Sequence, residues 1–158
     1  MNTDGACKRT GASSAGVIRD HKGAWIFGFG MNIGHCSVTV AELWGLYHGL
    51  KLAWENGIRW LVVEIDSLCV TELVRKPVDT DNEYTSLLQP IKEVIQRNWN
   101  NIVINHVYRE ADFTADYLAN YALSLPLGVH HLANPPPGVT PLLYHDLYGV
   151  AYPRSVLF

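Results

Sequence analysis

The segment Ile58 to Ile65 carries the apolar run Trp60-Leu61-Val62-Val63, which has the length of one β-strand. An uninterrupted apolar strand is consistent with burial on both faces, as in a sheet with helices above and below it. The flanking residues change period accordingly. From Thr39 to Glu55, Val40, Leu43, Trp44, Tyr47, Leu50 and Trp54 recur at intervals of three and four, and Asn56-Gly57 supplies a helix stop. On the other side, Ser67 to Lys76 has a helical pattern in Leu68, Leu73 and Val74 and stops before Pro77.

Ahead of the long helix, Gly5, Gly11, Gly16 and Gly23 break the chain into short pieces, and Ala15 to Arg19 and Ala24 to Met31 read as strands. Asp20-His21-Lys22-Gly23 suits a hairpin turn, because Asp and Gly tolerate positive φ. Residues 1–31 therefore predict a three-stranded antiparallel meander whose first strand is short and ends at Asp4. Residues 77–82 read as a polar loop. Beyond it, Glu83 to Arg97 is amphipathic through Leu87, Leu88, Ile91, Val94 and Ile95, Ile102 to Val107 is a strand, and Asp112 to Leu125 is a helix.

The order β-β-β-α-β-α-α-β-α predicts an α/β fold: a five-stranded mixed sheet, the meander plus two parallel strands, flanked by helices. Its expected extent is residues 1–125. From Pro126 on, Asn134-Pro135-Pro136-Pro137-Gly138 signals an extended arm over 126–158, and Leu142, Leu143, Tyr144, Leu147 and Tyr148 suggest that it packs on the domain. A length of 158 residues with only 17% charged suits a single compact domain.

Twelve Lys and Arg against fifteen Asp and Glu give a formal charge of -3, so the simplest basic footprint of a nucleic-acid binder is missing. Nucleic acid is not thereby excluded as a substrate, since a centre that holds metal on carboxylates is acidic by construction. Cys7, Cys36 and Cys69 have no paired spacing, which argues against a disulfide framework or structural zinc and for reduced thiols in an intracellular compartment. The polar stretch Met1 to Gly11 lacks a secretory h-region, and no segment approaches the roughly 18 apolar residues of a membrane span.

Acidic residues fall at the ends of these elements: Asp4 after the first strand, Asp66 after the apolar strand, Glu42 in the first turn of the long helix and Asp116 early in the last one. Ligands of open α/β sheets collect beyond the carboxyl ends of strands where connection order reverses. Carboxylates gathered there must take up protons or bind cations, and oxygen-only donors favour Mg²⁺ or Mn²⁺ over zinc. Two such ions about 4 Å apart suit in-line attack on phosphorus. Each residue also has a local explanation. Thr39-Val40-Ala41-Glu42 fits a capping box, Asp66-Ser67 an N-cap, Asp112 or Asp116 a dipole complement, and Asp4-Gly5 a turn.

Five motifs in register speak for the site. Asn2-Thr3-Asp4-Gly5-Ala6, Gly16-Val17-Ile18-Arg19-Asp20-x-x-Gly23, Ala41-Glu42-Leu43, Glu64-Ile65-Asp66-Ser67 and Arg109-Glu110-Ala111-Asp112-x-x-Ala115-Asp116-Tyr117-Leu118-Ala119 follow the order and spacing of the ribonuclease H-like family. The resemblance covers residues 1 to about 125 and is closest to its plant retroelement-type branch. It implies a metal-dependent endonuclease that hydrolyses the RNA strand of RNA/DNA hybrids, leaving a 3′-hydroxyl and a 5′-phosphate. It implies two Mg²⁺ or Mn²⁺ ions on Asp4, Glu42, Asp66 and Asp116, with the histidine ten residues before the last carboxylate, His106, assisting turnover. The expected partner is hybrid nucleic acid and not a membrane, and a monomer is expected.

Three departures define an alternative, a retroelement-derived nucleic-acid-binding module in which catalysis has weakened or gone. Asp112 replaces the family's asparagine, Val38-Thr39 replace its groove-reading amides, and the first strand is short. The basic rim is sparse, with Lys8, Arg9, Arg19 and Lys22 in the meander and Arg75 and Lys76 after a helix, so salt dependence should be shallow. Recognition would then rest on the A-form groove and its 2′-hydroxyls. Two divalent ions would move the formal charge from -3 to about +1, making affinity for a polyanion metal-dependent.

Overall fold

Neighbouring residues of a strand point to opposite faces of their sheet. Val17 and Ile18 are such neighbours, and in the computed structural model they belong to different cores. The structure describes residues 1–148, with side chains as far as Asp146; the rest of the expected arm, including the side chains of Leu147 and Tyr148, lies outside the described residues. Strands β1 (Asn2–Lys8), β2 (Gly11–Arg19) and β3 (Trp25–Gly34) form the antiparallel meander, and β4 (Trp60–Ile65) and β5 (Asn101–His106) run parallel to β1.

Helices α1 (Val38–Glu55), α2 (Leu68–Arg75) and α3 (Thr85–Ile95) cover one face. There Ile18, Leu61, Val63 and Ile65 meet Leu43, Leu46, Leu50, Val70 and Ile91. Helix α4 (Phe113–Ala122) covers the other face over Ala15 and Val17 with Leu118 and Ala119. The hairpin turn forms as the spacing predicts: Asp20 Oδ1 accepts from the Lys22 and Ala24 amides at 2.8 and 2.9 Å, and Gly23 takes φ 80°.

The sheet has six strands, not five. Strand β6 (Gly128–Leu132) pairs antiparallel with β3, Gly28 facing Leu132 and Met31 facing Val129, giving the order β5-β4-β1-β2-β3-β6. It falls between Pro126 and the proline triplet, where composition reads as an arm, and the edge of β3 supplies the hydrogen bonds that such a short strand lacks alone. The triplet is followed by a helix, α5 (Thr140–Tyr148), where an extended chain is expected. Pro141 sits in its first turn, where a missing amide proton costs nothing.

The expectation that β4 is buried on both faces also fails. Leu61, Val63 and Ile65 are core, but Trp60 is 69% and Val62 49% exposed. Helix α4 covers β1 to β3, and among the described residues no helix covers this side of β4, so the apolar run has large residues on its open face.

Candidate active site

The parallel pairing of β1 with β4 involves only Asn2 with Glu64 and Thr3 with Ile65. Immediately beyond it the two strands part, and Asp4 and Asp66 stand on either side of the opening. Asp4 lies within β1, which continues to Lys8 against β2, and does not end it. Asp66 follows β4 directly, and the next residue, Ser67, caps α2 by accepting from the Val70 amide at 3.2 Å.

Glu42 arrives from the helix side. The cap of α1 is Ser37, whose Oγ accepts from the Val40 amide at 3.3 Å, so the capping box at Thr39 does not form and Glu42 lies past the first turn. A Cβ on Gly5 would sit 2.7 Å from the Glu42 backbone nitrogen and 2.8 Å from its Cγ, and one on Gly45 would lie 3.3 Å from the Asp4 carbonyl. The missing side chains let α1 lie against β1, and that contact brings Glu42 to the opening.

One carboxylate oxygen from each of Asp4, Glu42 and Asp66 lies within 4.8 Å of the other two. Asp4 is only 3% exposed; its Oδ1 accepts from the Gly5 amide at 2.8 Å, and its Oδ2 is buried with no hydrogen-bond partner. Burial first and then the Asp66 charge push the Asp4 carboxyl up to about 8. Burial raises Glu42 to about 7, opposed by a hydrogen bond with Ser67. Asp66 is raised by burial as well, with Arg109, whose Nε lies 3.7 Å from its Oδ2, pulling the other way.

Asp116, in the first turn of α4, stands outside the three-carboxylate group, but its charge bears on both Asp4 and Asp66. His106 ends β5, half-buried. Its Nε2 lies 3.1 Å from the Asp66 carbonyl, which can only accept, so the ring donates there, and its edge meets Tyr108. Asp112 is fully buried, and neither of its oxygens has a hydrogen-bond partner. Burial and the Asp4 and Asp66 charges hold its carboxyl well above the usual range, with the Asn2 amide working in the opposite direction.

Gly5 and Arg109 fall within the quoted motifs, yet their roles in closing and screening the site come from contacts that local patterns do not carry. The meander's cations do not form one rim. Lys8 and Arg9 sit at the β1–β2 end, Lys22 at the opposite turn, and Arg19 is turned inward with its side chain 13% exposed.

An all-oxygen cluster with an unpartnered buried carboxylate oxygen fits a hard divalent cation in donor type and in charge. Together with a mixed sheet ordered β5-β4-β1-β2-β3 between helical layers, it defines a ribonuclease H-like protein. The chain belongs to the reverse transcriptase-like family, whose family model matches residues 2–122. It is 41% identical, over 99% of its length, to the Arabidopsis thaliana protein named "Putative ribonuclease H protein At1g65750", and it spans only 25% of that relative. Among solved structures it is similar to ribonuclease H1 of the halophilic archaeon Halobacterium salinarum NRC-1, at 26% identity and TM-score 0.70, covering 77% of this chain and 94% of that one. It also shares its fold with LC11 ribonuclease H1, solved in complex with an RNA/DNA hybrid, at 23% identity and TM-score 0.68, covering 77% and 94%. No helix among the described residues is long and apolar enough to cross a membrane.

Proposed function

We propose that this chain is a metal-dependent endonuclease that hydrolyses the RNA strand of RNA/DNA hybrids. The observation that carries the reading is the convergence of Asp4, Glu42 and Asp66 within 4.8 Å where β1 and β4 part. Asp4, Glu42, Asp66 and Asp116 would hold two Mg²⁺ or Mn²⁺ ions, with Asp4 and Asp66 at the centre of the group and Glu42 and Asp116 each completing one site. Bound there, such ions supply an activated water and stabilise the leaving oxygen at phosphorus.

The protein's own groups do the rest. Asp4 and Glu42 give up protons on loading, because their carboxyls are held near neutrality, so binding strengthens as pH rises through about 7 to 8. His106, anchored on the Asp66 carbonyl, would carry the leaving-group proton or help release product. A phosphodiester cut between phosphorus and the 3′-oxygen leaves a 3′-hydroxyl and a 5′-phosphate. The protein would act inside the cell as a monomer, with residues 1–125 as the catalytic unit and the described part of the following segment, residues 126–148, packed on it.

Incubating the protein with a labelled hybrid and Mg²⁺ or Mn²⁺ tests this. The RNA strand is cut, Asp66→Asn stops the cutting, and duplex DNA and single strands are spared. Activity that survives Asp66→Asn overturns the mechanism.

A second reading, a binding module without turnover, is favoured by one observation: Asp112 adds a buried acid beside Asp4 and Asp66. Hybrid binding without cleavage, where a control nuclease cuts, would select it.

A further inference from the structure

Helix α4 carries Asp116 in its first turn but does not cap itself. Its N-cap residue is Asp112, whose buried side chain makes no capping bond. The first amides of a helix have no intrahelical partner, and an unsatisfied first turn frays. The missing acceptor comes from α5. Asp146 Oδ2 accepts from the Thr114 backbone amide at 3.2 Å and from the Thr114 hydroxyl at 2.5 Å. The same oxygen lies 3.6 Å from Nη1 of Arg19, and Arg19 Nη2 donates at 2.6 Å to Asn2 Oδ1, two residues before Asp4 on β1.

One carboxylate therefore ties together the two elements that hold Asp116 and Asp4, on the face of the sheet opposite α1. Its side chain is 1% exposed. It also lies beyond residue 122, where the family match ends. A general property of the family does not account for it.

We propose that Asp146 is a positioning residue of the metal centre: by capping α4 and holding Arg19 against Asn2, it fixes Asp116 relative to Asp4. The segment after α4 thus completes the site. The inference rests on the metal-dependent reading above.

The test is a Mn²⁺ titration of the purified full chain followed by calorimetry or electron paramagnetic resonance, with circular dichroism to establish folding. Removing an outer partner of a metal site typically weakens binding by about 10–100-fold, so Asp146→Ala should weaken Mn²⁺ by about tenfold and lower kcat while KM for hybrid holds. Asp146→Asn, which keeps an acceptor for Thr114, should recover much of the loss. Val94→Ala, in the core on the other face of the sheet, should reduce stability and leave Mn²⁺ affinity unchanged.

A folded Asp146→Ala protein that binds Mn²⁺ like wild type overturns the proposal, as does an equal loss in Val94→Ala. If Asp146→Ala does not fold, Thr114→Val carries the test, since it removes the hydroxyl bond alone; unchanged Mn²⁺ affinity there also overturns it. Asp4→Asn separates the two readings. If wild type binds no Mn²⁺, or if Asp4→Asn binds as well as wild type, the metal-centre reading falls and takes this inference with it. If Asp4→Asn abolishes binding and Asp146→Ala does not affect it, only the positioning role falls.

Discussion

Asp4 and Asp146 are equally hidden from water and oppositely provided for. Around Asp146 Oδ2 stand an amide, a hydroxyl and a guanidinium; its other oxygen, like Asp4 Oδ2, accepts no hydrogen bond, so the difference between the two acids lies in the charge around them. Around Asp4 stand one amide and the charges of Asp66, Asp116 and Glu42, all negative, and one of its oxygens has nothing to accept from. A buried acid is therefore not in itself a sign of function. A buried acid that the fold leaves without positive charge is, because its ionised form costs free energy until a cation arrives.

The sharpest way to break the comparison is to neutralise Asp4. Asp4→Asn should cut hybrid cleavage by about a thousandfold, the several kcal/mol that metal coordination contributes at a phosphoryl centre. It should also raise the melting temperature of the metal-free protein, because it removes the repulsion. Asp146→Asn should do the reverse, lowering stability and leaving measurable turnover. Thermal melts alongside single-turnover cleavage distinguish the two; a metal-free Asp4→Asn protein less stable than wild type would undo the contrast.

The same asymmetry should appear in pH. In the unfolded chain Asp4 and Glu42 ionise near their ordinary values, whereas in the fold they hold their protons up to about 8 and about 7. Between those limits the folded state binds more protons, so the metal-free protein loses stability as pH rises from about 4 to 8, by an order of a few kcal/mol. Mn²⁺ should restore more of it at pH 8 than at pH 5. Urea unfolding with and without metal at both pH values measures this, and metal stabilisation that does not grow with pH would contradict it.

A smaller effect probes how the acids meet. Gly5→Ala places a Cβ against backbone atoms of α1, which cannot yield as a flexible side-chain tip could. Overpacking of this kind costs about 1–3 kcal/mol and should displace Glu42 from Asp4. Weakened Mn²⁺ binding beyond what the stability loss explains is the expected result.

What the chain discloses by itself follows the range of the interaction. Helical periods and turn residues are local, so β1 to α4 can be read in order from Val40, Leu43 and Asp20-Gly23. The apolar run fixes Asp66 as the acid that follows β4, whereas Asp4, expected at the end of β1, lies inside it. Three features could not be read because they depend on partners far along the chain. The bare face of β4 depends on where α4 ends, β6 depends on an edge offered by β3, and the inward turn of Arg19 depends on Asp146. The capping box at Thr39 was a local motif that lost to another local motif, since Ser37 captured the helix start two residues earlier.

Asp112 lies between the two extremes and gives the smallest and cleanest test. It is as buried as Asp4, but it stands at the N-cap of α4 and has the Asn2 amide beside it. An asparagine there keeps the shape and removes the cost of ionisation. Because the fold raises this carboxyl well above its ordinary value, the cost is absent below about pH 3, where the acid is protonated in both states, and grows as pH rises beyond about 4. Asp112→Asn should therefore raise the melting temperature by about 3–6 °C at pH 8, roughly 1–2 kcal/mol for a domain of this size, and by much less at pH 5. If the gain comes instead at pH 5, the Asp112 carboxylate is serving as a ligand or acceptor in its charged form. It would then belong with Asp4 among the acids the fold holds for a cation.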